Sequence, residues 1–97
     1  MKSLEEIKTI LRENRDIIRV RYKAELIGLF GSYVRGDTHK DSDLDVLVEF
    51  YETASLLDHA ALQNYLTDLV GIRVDVVPRK NIRKELKERI LNETVSL

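Results

Sequence analysis

The sequence contains no cysteine, no tryptophan and only one proline. The lack of cysteine excludes disulfide bonds and thiolate metal sites. No apolar run approaches the roughly 20 residues that a membrane-spanning helix needs, and the first residues do not form a signal-peptide pattern. We therefore expect a cytoplasmic protein without a membrane partner.

The net charge is also small, because 16 basic residues nearly balance 17 acidic ones. A net charge of −1 argues against direct, general binding of nucleic acid. The distribution is uneven, since residues 37–58 hold seven acidic residues and one lysine, whereas basic residues dominate 2–23 and 79–90. An acidic centre between basic ends indicates a cation site beside surfaces that attract an anionic ligand. The alternative, that the end helices carry solvated basic faces, stays open.

The length of 97 residues corresponds to one domain, which we assign to residues 1–97. Apolar positions predict helices and strands in alternation along the chain. Ser3 and Glu6 have the spacing of a capping box at a helix start, and Gly71 is placed to end a later helix. The predicted elements are a helical segment over 3–23, strands over 24–30, 44–50 and 72–77, a helix over 54–70, and a last helix capped by Asn81.

This order predicts an α/β (α+β) fold in which helices pack on a small mixed β-sheet. The apolar stripe of the helix over 54–70 is expected to contain Leu57, Ala61, Tyr65 and Leu69. Three strands make a thin sheet, so we expect either a further short strand or a partner subunit. Self-association of the chain stays open.

The stretch GSYVRGDTHKDSDLD, residues 31–45, suggests a phosphate-binding loop at first sight. Gly31 and Gly36 have the glycine spacing of a Walker A loop, and the stretch follows a predicted strand. That loop requires a lysine after its second glycine, so that an ammonium group reaches the phosphates. Asp37 stands there instead, and its carboxylate would repel phosphate, so this interpretation fails.

A calcium-binding EF-hand loop is the second interpretation of the same stretch. Asp41, Asp43 and Asp45 would occupy positions 1, 3 and 5 of such a loop. Position 6 must be glycine for the sharp turn, and Val46 stands there at the start of a predicted strand. The calcium loop is therefore excluded as well.

A pair of carboxylates on one strand is the interpretation that remains. Asp43 and Asp45 are two residues apart, so both project from the same face of an extended chain. Asp75 lies in the next predicted strand among apolar residues, where an unpaired buried charge would be costly. If the strands are neighbours, three carboxylates converge and could hold Mg²⁺. Considered individually, Asp43 and Asp45 could lie in a solvated turn, and Asp75 could pair with Arg73 or Arg79.

The combination of Gly31-Ser32, ten residues, Asp43-Leu44-Asp45 and a later Asp75 resembles the DNA polymerase β-like nucleotidyltransferase superfamily. The full run GSYVRGDTHKDSDLDVLVEF is similar to its minimal nucleotidyltransferase (MNT) branch, whose members are single domains of about this length. Val34 departs from the pattern, which more often has alanine there. The resemblance covers essentially the whole chain.

The resemblance implies a role for each motif residue. Gly31 would let the backbone approach a nucleoside triphosphate, Ser32 would donate to its phosphates, and Arg35 would contact phosphate or brace the turn. Asp43 and Asp45 would bind two Mg²⁺ ions, and Asp75 would be a third ligand or a general base. The implied reaction is in-line attack of an acceptor hydroxyl on the α-phosphate of ATP, with release of pyrophosphate.

The resemblance also implies a partner. MNT proteins occur as antitoxins of helical HEPN-domain toxins and transfer AMP to a tyrosine of the toxin. An AMP-transferring antitoxin is thus the leading hypothesis. A non-catalytic antitoxin that occludes its partner, and a nucleotidyltransferase that modifies a small molecule, are the two alternatives.

Overall fold

The computed structural model describes residues 2–36 and 43–97, and nine helices and strands together with one 3₁₀ turn lie in this part of the chain. No helix in the two described ranges is both long and apolar enough to cross a membrane. In chain order the elements are α1 (Leu4–Glu13), α2 (Arg15–Tyr22), β1 (Ala24–Phe30), α3 (Ser32–Arg35), β2 (Leu44–Phe50), α4 (Leu56–Val70), β3 (Val74–Pro78), a 3₁₀ turn (Arg79–Asn81), α5 (Lys84–Glu93) and β4 (Val95–Ser96).

The strands form one mixed sheet in the order β3-β2-β1-β4. β1 pairs antiparallel with β2 and β4, whereas β2 and β3 are parallel and are connected through α4. The predicted mixed sheet with packed helices is confirmed. β4 is a fourth, short strand, as expected from the three strands predicted from sequence. Gly28 admits β4, because a Cβ there would collide with the side chain of Thr94 and the carbonyl of Val95.

The core lies between the sheet and helices α1, α2 and α4. α4 buries Leu62, Leu66 and Val70. Of the predicted apolar stripe, Tyr65 and Leu69 pack against the core, whereas Leu57 and Ala61 are exposed, so the prediction was wrong for the first half of the helix. α4 is apolar around much of its circumference, and spacing alone does not then select the buried row. The other fully buried apolar side chains include Ile7, Leu11, Ile18, Leu29, Leu44, Val46, Val48 and Val74.

The helix ends agree only in part with the sequence signals. The capping box at Ser3 is confirmed, because its Oγ accepts from the N–H of Glu6 at 3.1 Å and its N–H donates to the Glu6 carboxylate at 3.1 Å. The segment 3–23 is two helices that meet at Asn14. Asn81 does not cap the last helix: it ends the 3₁₀ turn, and α5 begins at Lys84.

Side chains of α4 hold the outer edge of β3. The N–H of Val76 donates to Oε1 of Gln63 at 2.9 Å, and the N–H of Val74 donates to Oγ1 of Thr67 at 3.1 Å. These two backbone groups flank Asp75 and point away from β2, so α4 satisfies donors that an edge strand would otherwise leave to solvent. The position of Asp75 in the sheet is therefore fixed from both sides.

Candidate active site

The turn between β1 and α3 brings the backbone next to a carboxylate. Gly31 has φ +88° and ψ −166°, a conformation that side-chain-bearing residues rarely adopt. A Cβ at this position would collide with the carboxylate of Asp45. Glycine is therefore required both by the backbone conformation and by the approach of β2. Ser32 follows as the first residue of α3 and is half-buried.

The sheet register brings two of the predicted site residues together. Asp45 is the parallel partner of Asp75 on β3 and the antiparallel partner of Phe30 on β1. Residues in register share a face of the sheet, so the two carboxylates lie side by side. Asp45 is half-buried but Asp75 is exposed. The expectation that Asp75 is a buried charge was therefore wrong, because β3 is an edge strand and only Asp45 lies on a central one.

The pKa of Asp45 reflects both its burial and the negative charges close to it. Burial, together with the charges of Asp75 and Asp43, raises the pKa of Asp45 to about 6, while Arg35 acts in the opposite direction. A carboxylate disfavoured by burial and by like charges is stabilised when a cation lies beside it.

Asp43 acts on Asp45 through its charge and also has an arginine beside it. It lies just before β2, and its Oδ2 is 3.8 Å from Nε of Arg73. The N–H of Leu44 donates to the carbonyl of Arg73 at 2.9 Å, so the two chain segments are joined at this point. Within residues 2–36 and 43–97, no group of three or more acidic or histidine side chains is arranged to hold a metal ion. The described residues thus show one in-register pair, with Asp43 beside Arg73, and the convergence of all three carboxylates on a metal ion stays a prediction.

The donor chemistry of the pair nevertheless fits Mg²⁺. Carboxylate oxygens are the ligands that this ion prefers, and it commonly binds through one or two carboxylates together with substrate phosphates. The like-charge repulsion at Asp45 is what a divalent cation would relieve. Asp45 and Asp75 are therefore suited to hold the ion, and participation of Asp43 stays a prediction that requires its release from Arg73.

A groove of about 350 Å³ extends from Asp45 toward α5. One wall is the turn after β1 and the other is α5, whose Glu93 carboxylate is 3.5 Å from Nη1 of Arg35. This ion pair fits the bracing role considered for Arg35. The α5 wall was missed by sequence reasoning, although the spacing of its residues on one helical face was a detectable signal. The groove is lined by Phe30, Gly31, Ser32, Arg35, Asp45, Leu86, Arg89, Ile90 and Glu93.

Adjacent carboxylates at a sheet end, beside a glycine turn and a groove with arginines, form the type of site that metal-assisted phosphoryl transfer uses. Comparison with known proteins agrees. A family model described as a nucleotidyltransferase domain matches residues 4–97. Protein adenylyltransferase MntA of Thermococcus cleftensis is 43% identical over 95 residues, which cover 98% of this chain and 96% of that protein.

Solved structures show the same similarity. The structure of a candidate minimal nucleotidyltransferase matches with a TM-score of 0.81 at 40% identity, covering 99% of this chain and 97% of that chain. A crystal structure of a toxin–antitoxin with AMP-PNP matches with a TM-score of 0.67 at 27% identity, covering 95% of this chain and 69% of that chain. This chain belongs to the nucleotidyltransferase domain family, which confirms the resemblance at the level of the family.

Proposed function

We propose that this chain transfers AMP from ATP to a tyrosine hydroxyl of a HEPN-domain toxin and thereby acts as its antitoxin. The observation that carries the proposal is the in-register pair of Asp45 and Asp75 beside the Gly31 turn. The near full-length similarity to a protein named protein adenylyltransferase supports the reaction type. The similarity to a toxin–antitoxin structure with AMP-PNP supports both the nucleotide and the kind of partner.

The proposed roles follow the positions of the residues. Gly31 lets the triphosphate approach the backbone, and the Ser32 hydroxyl donates to a phosphate oxygen. Asp45 and Asp75, joined by Asp43, would hold Mg²⁺, which when bound neutralises charge on the triphosphate and favours ionisation of the acceptor hydroxyl. The exposed position of Asp75 makes it accessible to an acceptor that approaches from solvent.

The bond changes define the product. The acceptor oxygen forms a bond to the α-phosphorus, the bond from that phosphorus to the oxygen bridging to the β-phosphate breaks, and pyrophosphate leaves. The acceptor loses its proton, and in this proposal Asp75 takes the proton or passes it to solvent. Catalysis of this kind rests mainly on positioning and on electrostatic stabilisation, and both can be supplied by a few side chains on a rigid sheet.

The test combines this chain with ATP, MgCl₂ and a candidate HEPN-type partner, and measures the intact mass of that partner. We expect an added mass of AMP on the partner, located to a tyrosine by peptide mapping. The double variant Asp43→Asn with Asp45→Asn should lose transfer by at least a hundredfold, given the typical weight of electrostatic stabilisation. Asp16→Asn with Asp68→Asn, both on the surface, makes the same change in charge and should retain activity.

The same variants separate transfer from occlusion. If the double active-site variant still neutralises the toxin as well as the unaltered chain does, the antitoxin acts by binding and the transfer proposal is refuted. Absence of added mass on the partner, with nucleotide binding demonstrated, would refute it as well.

A further inference from the structure

Part of the groove wall is apolar, although it lies beside the aspartates. Phe30 ends β1 on one side of the groove, and Leu86 and Ile90 of α5 line the other side. Because the two α5 residues are four positions apart, they share one face of the helix. None of the three belongs to the core cluster within residues 2–36 and 43–97, and Leu86 is 39% exposed. The α5 side of the wall is therefore available to a ligand.

The sheet explains why an aromatic ring lies at this site. Phe30 and Asp45 are antiparallel partners, so their Cα atoms lie about 4.5 to 5.5 Å apart and their side chains project from the same face. Leu29 and Val46, the next pair in the register, project from the opposite face into the core. Asp75 on β3 is the parallel partner of Asp45 on its other side. Phe30, Asp45 and Asp75 thus form a row across the sheet, with Phe30 and Asp75 at its two ends.

The charged residues of the α5 wall are engaged with each other and with α3. Oε1 of Glu93 is 3.5 Å from Nε of Arg89, and Oε2 of Glu93 is 3.5 Å from Nη1 of Arg35. The charge of Arg35 also acts on Asp45, whose pKa it lowers against the effect of burial. The contribution that α5 can make to ligand binding is therefore mainly the apolar contact of Leu86 and its neighbour on the same face.

A nucleotide suits a groove that joins carboxylates fit for a metal ion to an apolar wall. Its triphosphate carries the charge that Mg²⁺ and the Gly31 turn would bind, and its base is a flat ring whose faces stack on aromatic and apolar side chains. The acceptor is proposed to approach at the exposed Asp75, at the end of the row away from Phe30. The Phe30 end of the row is therefore left for the base.

We propose that Phe30, Leu86 and Ile90 form the nucleobase subsite of this chain, in which the base of ATP lies between the end of β1 and the apolar face of α5. This inference rests on the proposed nucleotidyl transfer. Apolar contact with the base raises the affinity for a nucleotide above the affinity for its phosphates alone. It also gives a role to a helix that buries none of its own residues.

The test is calorimetric binding of AMP-PNP and of inorganic tripolyphosphate, each with MgCl₂, to the full chain and to single variants. Leu86→Ala should weaken AMP-PNP binding about five- to tenfold, the scale of losing part of the apolar contact of one leucine, and should leave tripolyphosphate binding unchanged. The variant should fold normally, because Leu86 lies at the surface and alanine is a strong helix former. Leu57→Ala makes the same change in the first turn of α4, where Leu57 is 81% exposed, and should leave both affinities unchanged.

Three results would overturn the assignment of the base to this wall. One is equal affinity of the unaltered chain for AMP-PNP and tripolyphosphate, which would leave the transfer proposal standing. Another is an equal loss of both ligands in Leu86→Ala, which would indicate a structural role. The third is unchanged AMP-PNP binding in Leu86→Ala; if AMP transfer to the partner falls nevertheless, the wall contacts the acceptor instead. A selective loss of AMP-PNP binding supports the inference even if the partner gains no AMP. If the unaltered chain binds no AMP-PNP at all, both proposals are refuted.

Discussion

Replacement of Asp45 by asparagine should stabilise the metal-free protein at neutral pH. The pKa of Asp45 rises from an ordinary 3.8 to about 6, because burial and the charges of Asp75 and Asp43 disfavour ionisation. The folded protein therefore binds this proton more tightly than the unfolded chain does. Ionisation of Asp45 thus reduces the free energy of unfolding, starting near pH 4 and complete above about pH 6.

The magnitude follows from the size of the shift. A tenfold change in proton affinity corresponds to about 1.4 kcal/mol, so a rise from 3.8 to about 6 amounts to roughly 3 kcal/mol. Since Asp45 is only half-buried, solvent screens part of this energy, and we expect Asp45→Asn to be more stable by about 1 to 2 kcal/mol at pH 8. Below pH 4 both side chains are neutral, and the difference should vanish.

The assay is urea denaturation at pH 3.5 and pH 8 in buffer with EDTA, with equal slopes required of both proteins. Asp58→Asn is the matched control with the opposite sign. The N–H of Ser55 donates to the Asp58 carboxylate at 2.8 Å and lowers the pKa of Asp58, so this variant should be less stable at pH 8. The difference should shrink only as the pH falls below 3.8 toward the lowered pKa, so most of it should remain at pH 3.5. If Asp45→Asn gives no stabilisation at pH 8, or the same difference at both pH values, the reasoning on charge crowding is wrong.

Three further substitutions test the local geometry. Gly31→Ala places a Cβ against Asp45 at a backbone conformation reserved for glycine, and should cost about 1 to 3 kcal/mol in urea denaturation together with a loss of AMP-PNP binding. Gly36→Ala, whose Cβ would meet no atom of the described residues within 4 Å, should cost only about 1 kcal/mol and keep binding, so equal binding by both variants would contradict the geometry of the turn. Ser55→Ala removes the oxygen that accepts from the N–H of Asp58 at the start of α4 and should cost about 1 kcal/mol, measured by thermal unfolding; an unchanged melting temperature would contradict the capping assignment.

Much of the sheet could be predicted because its strands have strong local signals. The bounds of β1 and β2 agree with the predicted 24–30 and 44–50, since each is an apolar run that ends at a turn. β3 begins at Val74 rather than at 72, and residues 37–42, which contain the proposed connection to Asp43, lie outside the described part of the chain. The parallel pairing that places Asp45 beside Asp75 was an assumption from sequence, because pairing depends on the path of α4.

The rest of the site depends on tertiary contacts. Asn81 has the side chain of a helix cap, but the backbone after Pro78 forms a 3₁₀ turn first, and the turn displaces the start of α5 to Lys84. Because the sequence signals place the start of α5 incorrectly, they could not show which residues of α5 face the groove. The pairing of Asp43 with Arg73 is likewise long-range in origin, because it follows from the alignment of β2 and β3.

The bonds from α4 to β3 also restrict how the sheet can grow. Strand addition, in which a second chain extends a sheet, requires unpaired N–H and C=O groups along an edge. Gln63 and Thr67 already accept from the outward N–H groups of Val76 and Val74, and Nε2 of His59 lies 2.9 Å from the carbonyl oxygen of Val76. The β3 edge is thus closed to β-augmentation, and under the proposed function a partner would have to approach Asp75 through side-chain contacts rather than by adding a strand.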